Sequence, residues 1–384
     1  MIKQTREDLQ ALHSHAAPST LVDCLSMDDL FSEVQRAAAG KWDTVLSAAE
    51  IVLDGELRLP DGIPLTETAI KSACRLGGIP STVATWCNEG GYSTHVGEYI
   101  NNSFSKIAYQ DAETGRPPSR YFARFRKDST GKTVCRALFS GSYGLLDNLN
   151  AVDILGDAIK GALFRDVVVR RFSHDGDSLS VSLLLPDYVI TLPDSDYGCG
   201  IEVTNSEVDG PFTVGGFTYR AQCKNGMLLG VSEGLGFKRR HSGRIDLDNI
   251  KATTRIAVHT AIEGGRKSLL AQERAWKIKI ADPRRLIAYL CKQGRLNREH
   301  ARQWMQGYEE TIQEPRSPAG TVGALLNGLT RAARTSLLPE RRLLEGEAGR
   351  LLAPGIALDL SRMDARWRDW EVRAQELKDY EIDA

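Results

Sequence analysis

A chain of 384 residues, 42% hydrophobic and 26% charged, is long enough to bury its own core and has ordinary globular composition, with two or three domains as the expectation. A formal net charge of −1 excludes a polycation, so any affinity for nucleic acid must come from a local patch. No apolar run approaches the roughly 20 residues of a membrane span, and the N-terminal MIKQTREDLQ is too polar for a signal peptide.

The cysteines Cys24, Cys74, Cys87, Cys135, Cys199, Cys223 and Cys291 are scattered, odd in number and free of any CxxC pair. That argues against a disulfide framework or a ribbon-type zinc site and predicts reduced thiols in the cytoplasm.

Residues 1–25 read as a flexible lead-in. Ser26 is a candidate N-cap, with Asp28 and Asp29 in the first turn of a helix whose stripe is Leu30, Phe31 and Val34. Short β-like runs follow over 44–59, punctuated by Asp54-Gly55. Thr66 can cap a second helix that turns Ala69, Ile70 and Ala73 inward and stops at Gly77-Gly78. A further helix is expected after Pro80 and another over 95–109.

From about 119 the period becomes two. Arg120–Arg126 reads RYFARFR, with Tyr121, Ala123 and Phe125 on one face and Arg120, Phe122, Arg124 and Arg126 on the other. More strands are expected at 132–139, 167–172, 179–185, 188–192, 200–205 and 211–223, with a helix at 147–160. Residues 119–223 thus predict an α+β core around a mostly antiparallel sheet. After Asp248 the pattern is helical, with segments near 248–280, 283–293, 297–312, 319–337, 340–353 and 362–379 separated by prolines. The expected organisation is an α+β domain over 26–280 and a helical region over 281–384, with a linker near 314–320.

Five motifs in order are PLTETAIKSACRLGGIP at 64–80, RALFSGSYGLLDN at 136–148, TNSEVDG at 204–210, RAQCKNGM at 220–227 and FKRRHSGR at 237–244. Together they resemble the phage/plasmid-like family of unknown function carried on prophages, plasmids and integrative elements. The resemblance spans roughly 26–260. It implies a cytosolic protein of mobile-element origin, and it brings no catalytic residues with it.

The strongest chemical signal is cationic. Arg116, Arg120, Arg124, Arg126, Lys127, Lys132 and Arg136 stand against Asp128 alone between 116 and 136. Lys238, Arg239, Arg240 and Arg244, and Arg165, Arg170 and Arg171, could extend that surface. Cations interleaved with Phe122 suit single-stranded nucleic acid, where charges track phosphates and rings stack on bases. The competing reading is a sheet face whose arginines pair with helix acids.

Asn205, Glu207, Cys223, Asn225 and His241 would line an enzyme pocket if they converged. Turn chemistry at Asn205 and Asn225 explains the same residues more simply. His174-Asp175-Gly176-Asp177 suits a hairpin turn better than a metal site, there being no HExxH. Gly131-Lys132-Thr133 ends like a phosphate-binding loop, but Arg126 stands where its first glycine belongs.

No cofactor motif is present. Trp304, Trp367 and Trp370 lie among the arginines of the C-terminal helices, which pack on their own domain, on a second copy or on a protein partner. The leading expectation is a mobile-element protein that binds single-stranded DNA in replication, recombination or annealing without covalent chemistry. A protein-interaction or anti-defence module and an enzyme are the alternatives.

Overall fold

The computed structural model describes residues 26–85, 92–128, 130–161, 167–174, 176–191, 196–220, 226–228, 236–241, 243, 245–293, 296–314, 317–336 and 338–352. The expected lead-in over 1–25, the helix over 362–379 with Trp367 and Trp370, and the side chains Cys223, Asn225 and Arg244 lie outside the described residues. The chain is α+β, with antiparallel sheets and a helical C-terminal region, as its periodicities predict.

The single sheet expected over 119–223 is in fact two. The first has three strands in the order β1 (Lys41–Ser47), β4 (Arg120–Lys127), β5 (Thr133–Ser140). A short ladder of β2 (Arg58–Leu59) and β3 (Ile63–Pro64) stands beside it. The second sheet runs β10 (Gly226–Leu228), β9 (Phe212–Arg220), β8 (Asp196–Ser206), β7 (Ser178–Thr191), β6 (Val168–His174), with β11 (Gly236–Arg239) also paired to β9. Sequence periodicity identifies strands one at a time and carries no information on which strands share a ladder, so the division is not legible from it.

Each sheet covers one face with helices. Helix α1 spans Met27–Ala38, and its first turn is closed by the Ser26 hydroxyl accepting from Asp29 N at 3.1 Å. Helix α2 spans Glu67–Leu76 and is capped by Thr66, whose Oγ1 accepts from Ala69 N at 3.3 Å. Helix α3 spans Ser93–Thr114 and stops at Gly115, where φ is +63°.

Ala69, Ile70 and Ala73 of α2 and Val96, Ile100 and Phe104 of α3 pack on Tyr121, Ala123 and Phe125 of β4, the face that period two predicts to be apolar. On the second sheet, Leu179, Val181, Leu183 and Leu185 of β7 alternate inward. They meet α1, α4 (Asn148–Gly161) and α5 (Leu247–Ala275).

The remaining helices are α6 (Pro283–Gln293), α7 (Arg298–Ile312), α8 (Val322–Thr335) and α9 (Leu338–Leu352). Trp304 is fully buried there and donates Nε1–H to the Leu325 carbonyl at 2.7 Å, so it serves the chain's own core. Helices α7 and α8 cross where glycines meet: a Cβ on Gly307 would fall 2.2 Å from the Gly328 carbonyl oxygen.

Asn327 Nδ2 donates to the Tyr197 hydroxyl at 2.9 Å, joining this bundle to β8. Around the far end of the stretch expected to be a linker, Ile280 N donates to Gly320 O at 2.9 Å and Val322 N to Ile278 O at 3.0 Å.

Cys74, Cys135, Cys199 and Cys291 are buried, and burial pushes the thiols of Cys135, Cys199 and Cys291 up to about 12. Among the described residues no helix is long and apolar enough to cross a membrane.

Candidate nucleic-acid interface

The parity read for β4 holds, but its consequence differs. Phe122, Arg124 and Arg126 do share the face opposite Tyr121, Ala123 and Phe125. That face does not look into solvent over its length: it abuts the end of the second sheet.

The β4–β5 register shifts between Arg124 and Phe125, whose partners are Ala137 and Cys135. Arg136 is therefore the extra residue of a β-bulge, the device by which a strand re-aims one side chain. Thr66 fastens the bulge from outside. Its N–H donates to Cys135 O at 2.9 Å and its hydroxyl to Arg136 O at 3.1 Å.

Opposite these arginines stand carboxylates from four different segments. Arg124 bonds Asp43 at 2.9 Å, Asp147, and the backbone carbonyl of Glu207 at 3.0 Å. Arg136 bonds Glu207, and Asp177 at 3.0 Å, while Arg126 reaches Asp177 at 3.4 Å. Lys41 meets Glu207 at 2.9 Å. The other Glu207 oxygen accepts from Asn148 N at 2.8 Å, at the N-terminus of α4, where a negative charge is favoured.

Lys41, Arg124, Arg126 and Arg136 thus face Asp43, Asp147, Asp177 and Glu207, and the charges cancel. Burial alone would raise the Glu207 carboxyl. Lys41, Arg136 and the Asn148 N–H hold it below the usual carboxylate range instead. Burial works against the Arg124 charge, yet Asp147 and Asp43 raise its pKa overall.

This corrects the basic-sheet expectation for two of its residues. Arg124 is 2% exposed and Arg136 0%, so neither can reach a phosphate. Arg126 is half-buried against Asp177. Arg120 and Lys132 remain exposed at opposite ends of the β4–β5 hairpin.

Asn205 is likewise not a turn residue. It lies in β8, 2% exposed, and its Nδ2 donates to Leu146 O at 3.0 Å and Asn148 Oδ1 at 2.9 Å. Its Oδ1 is 3.2 Å from His241 Nε2. Asn205, Glu207 and His241 therefore do converge, joined through Asn148, but inside a buried and ion-paired seam. Gly176, at φ +91°, turns the His174–Asp177 hairpin, and Asp177 goes to arginines. Among the described residues no group of acids, histidines or thiols could hold a metal.

Next to the seam a cleft of about 360 Å³ opens between the end of α2, the β5–α4 loop, the β8–β9 turn and β11. Phe139 and Tyr143 stack 3.6 Å apart at 6°, and Tyr143 and His241 lie 5.5 Å apart at 10°. Phe122 packs against this cluster with Val208.

Exposed Arg75, Lys238 and Arg240 line the cleft, and among the described residues no carboxylate pairs with any of the three. Arg239 is half-buried on β11. The loop can close this tightly because residue 144 is glycine: a Cβ there would fall 2.5 Å from Gly243 O.

Of the cleft's residues, Lys238 and Arg240 belong to the basic surface expected from the sequence. Arg75, Phe139 and Tyr143 lie inside the five motifs but carry no local signal, since only tertiary contacts bring α2 and the SGSYG loop to β11.

No family model, curated protein or solved structure matches the chain. The phage/plasmid-like resemblance rests on its five motifs alone.

Proposed function

We propose that this chain binds single-stranded nucleic acid, DNA in the first instance, at the cleft edged by Arg75, Lys238 and Arg240. The observation that carries the reading is the placing of cations that no described carboxylate pairs with beside the rings of Phe139, Tyr143 and His241. Cations follow a phosphate backbone, and aromatic faces accept unpaired bases of any sequence. Exposed Arg120 and Lys132 add positive charge elsewhere on the β4–β5 hairpin.

Each carboxylate of the seam is already held by a cation, and that pairing favours a binding role without covalent chemistry. The phage/plasmid-like motifs fit a mobile-element setting of replication, recombination or annealing.

The test is binding of a fluorescent single strand and of its duplex over a salt series. Preference for the single strand, weakening with salt, is expected. No binding at low salt would overturn the reading in favour of a protein-interaction role.

A further inference from the structure

We propose that the cleft seats one whole nucleotide unit, with its unpaired base against the Phe139–Tyr143–His241 rings and its phosphate among Arg75, Lys238 and Arg240. This rests on the single-strand reading and names what the strand places there.

Size, shape and charge each bear on it. The cleft, about 360 Å³, falls at the small-ligand end of the range for pockets that bury organic molecules. Its lining is aromatic. Phe139 and Tyr143 lie 6° from parallel and Tyr143 and His241 10°; Phe139 and His241 are buried, so half-buried Tyr143 is the ring most open to the cleft, with Leu76 and Val208 beside it. A base can meet that aromatic and apolar lining, whereas inorganic phosphate or an aliphatic acid uses none of it.

The cations come from two elements distant in sequence. Arg75 sits in the last turn of α2, and Lys238 and Arg240 lie on and just past β11. The fold, rather than one basic run, gathers the charge.

A second recess of about 500 Å³ shares Arg75, Val208 and Asp209 with the first and continues along α2 past Thr68, Lys71, Gly78 and Pro80. Two recesses with a common wall suit a polymer lying across both better than a free metabolite. Asp209 lies at the junction, its carboxylate accepting the Ser206 hydroxyl at 2.6 Å. It repels phosphate locally, which directs the backbone toward Arg75 and β11 and leaves the junction to a base edge.

The experiment is competition against a fluorescent single-stranded oligonucleotide on the full chain, at low salt, by adenosine 5′-monophosphate, adenosine and inorganic phosphate. The monophosphate should displace the strand at a concentration roughly tenfold below that needed for inorganic phosphate, since base stacking is the difference between them. Tyr143→Ala should erase that difference, and Arg75→Ala, an exposed change on α2, should weaken monophosphate and strand together.

If the oligonucleotide binds but monophosphate and phosphate compete alike, or if both variants behave as the parent chain, the cleft assignment is overturned and the single-strand reading stands. If nothing binds, both fall. Binding of the monophosphate without the oligonucleotide also overturns the proposal, by making the cleft a small-molecule site.

Discussion

Two cationic regions lie side by side in this molecule and do opposite work. In the seam between the sheets, Lys41, Arg124, Arg126 and Arg136 meet an equal number of carboxylates, and Glu207 at its centre is 1% exposed. At the cleft, Arg75, Lys238 and Arg240 face solvent, with Asp209 the one carboxylate among the described lining residues. The sequence density of arginine is higher in the first, yet only the second has charge to offer a ligand. Local basic density is therefore a poor guide to anion affinity unless the fold says where the acids go.

The seam is the more sensitive of the two regions to the loss of one member. Glu207→Ala would leave Lys41 and Arg136 buried without their shared counter-charge, while Arg136 Nε and Nη2 already have no hydrogen-bond partner among the described residues. Removing one side of a buried ion pair costs about 3–5 kcal/mol, so urea unfolding should show a loss of that size. A change below about 1 kcal/mol would mean that the seam is wetter and weaker than its burial implies.

The same network gives an acid limb to stability. Because the folded Glu207 pKa lies below its ordinary value, its contribution is complete above about 4.3 and is lost as pH falls through the lowered folded value. Unfolding curves measured down that range should steepen in the parent chain and flatten in Glu207→Gln.

The cleft should respond the other way. Replacing Arg75, Lys238 and Arg240 together with Ala is expected to weaken single-strand binding by tenfold or more. The salt slope should fall by about two, at about 0.7 for each phosphate that the protein no longer neutralises. Stability should stay within about 0.5 kcal/mol, as for surface changes that break no cap or ion pair. Arg120→Ala and Lys132→Ala, at the two ends of the β4–β5 hairpin, should each do less. If those two carried the larger effect, the interface would have to move from the cleft to the hairpin.

Much of this is readable from the sequence, and the limit has a physical cause. The Ser26 and Thr66 caps, the inward faces of α2 and β4, the hairpin turn at Gly176 and the helical tail each follow from spacing within a dozen residues. The side on which Phe122, Arg124 and Arg126 stand follows from the same period. Their neighbours are not legible, because Asp43, Asp147, Asp177 and Glu207 approach from four segments up to 83 residues away. The bulge at Arg136 has no local signature either, since no glycine or proline marks it. Tyr143 shows the same limit in reverse: SGSYG reads as a loop, and only Gly144's close approach to Gly243 brings its ring beside His241.

The finest test lies where the two regions touch. His241 Nδ1 is 3.2 Å from the Gly144 carbonyl oxygen, and Nε2 is 3.2 Å from Asn205 Oδ1. The Asn205 amide cannot turn round without cost, because its Nδ2 already donates to Leu146 O and to Asn148 Oδ1. Both ring nitrogens therefore face acceptors. A neutral imidazole donates to only one of them, and an imidazolium to both. Burial pulls the His241 pKa below its ordinary value; the Gly144 carbonyl opposes this, Arg124 adds to it, and Asp147 and Glu207 oppose it from a distance. At neutral pH the ring is thus uncharged and one of its contacts sets a lone pair against an oxygen. A phosphate in the adjoining cleft favours the charged ring, which then makes both hydrogen bonds. Strand affinity should consequently rise severalfold as pH is lowered past about 6.5, with a proton taken up on binding. His241→Gln, which cannot titrate, should flatten that rise and leave the salt slope at neutral pH unchanged. Parallel pH profiles for the two proteins would place the protonation elsewhere and uncouple the seam from the cleft.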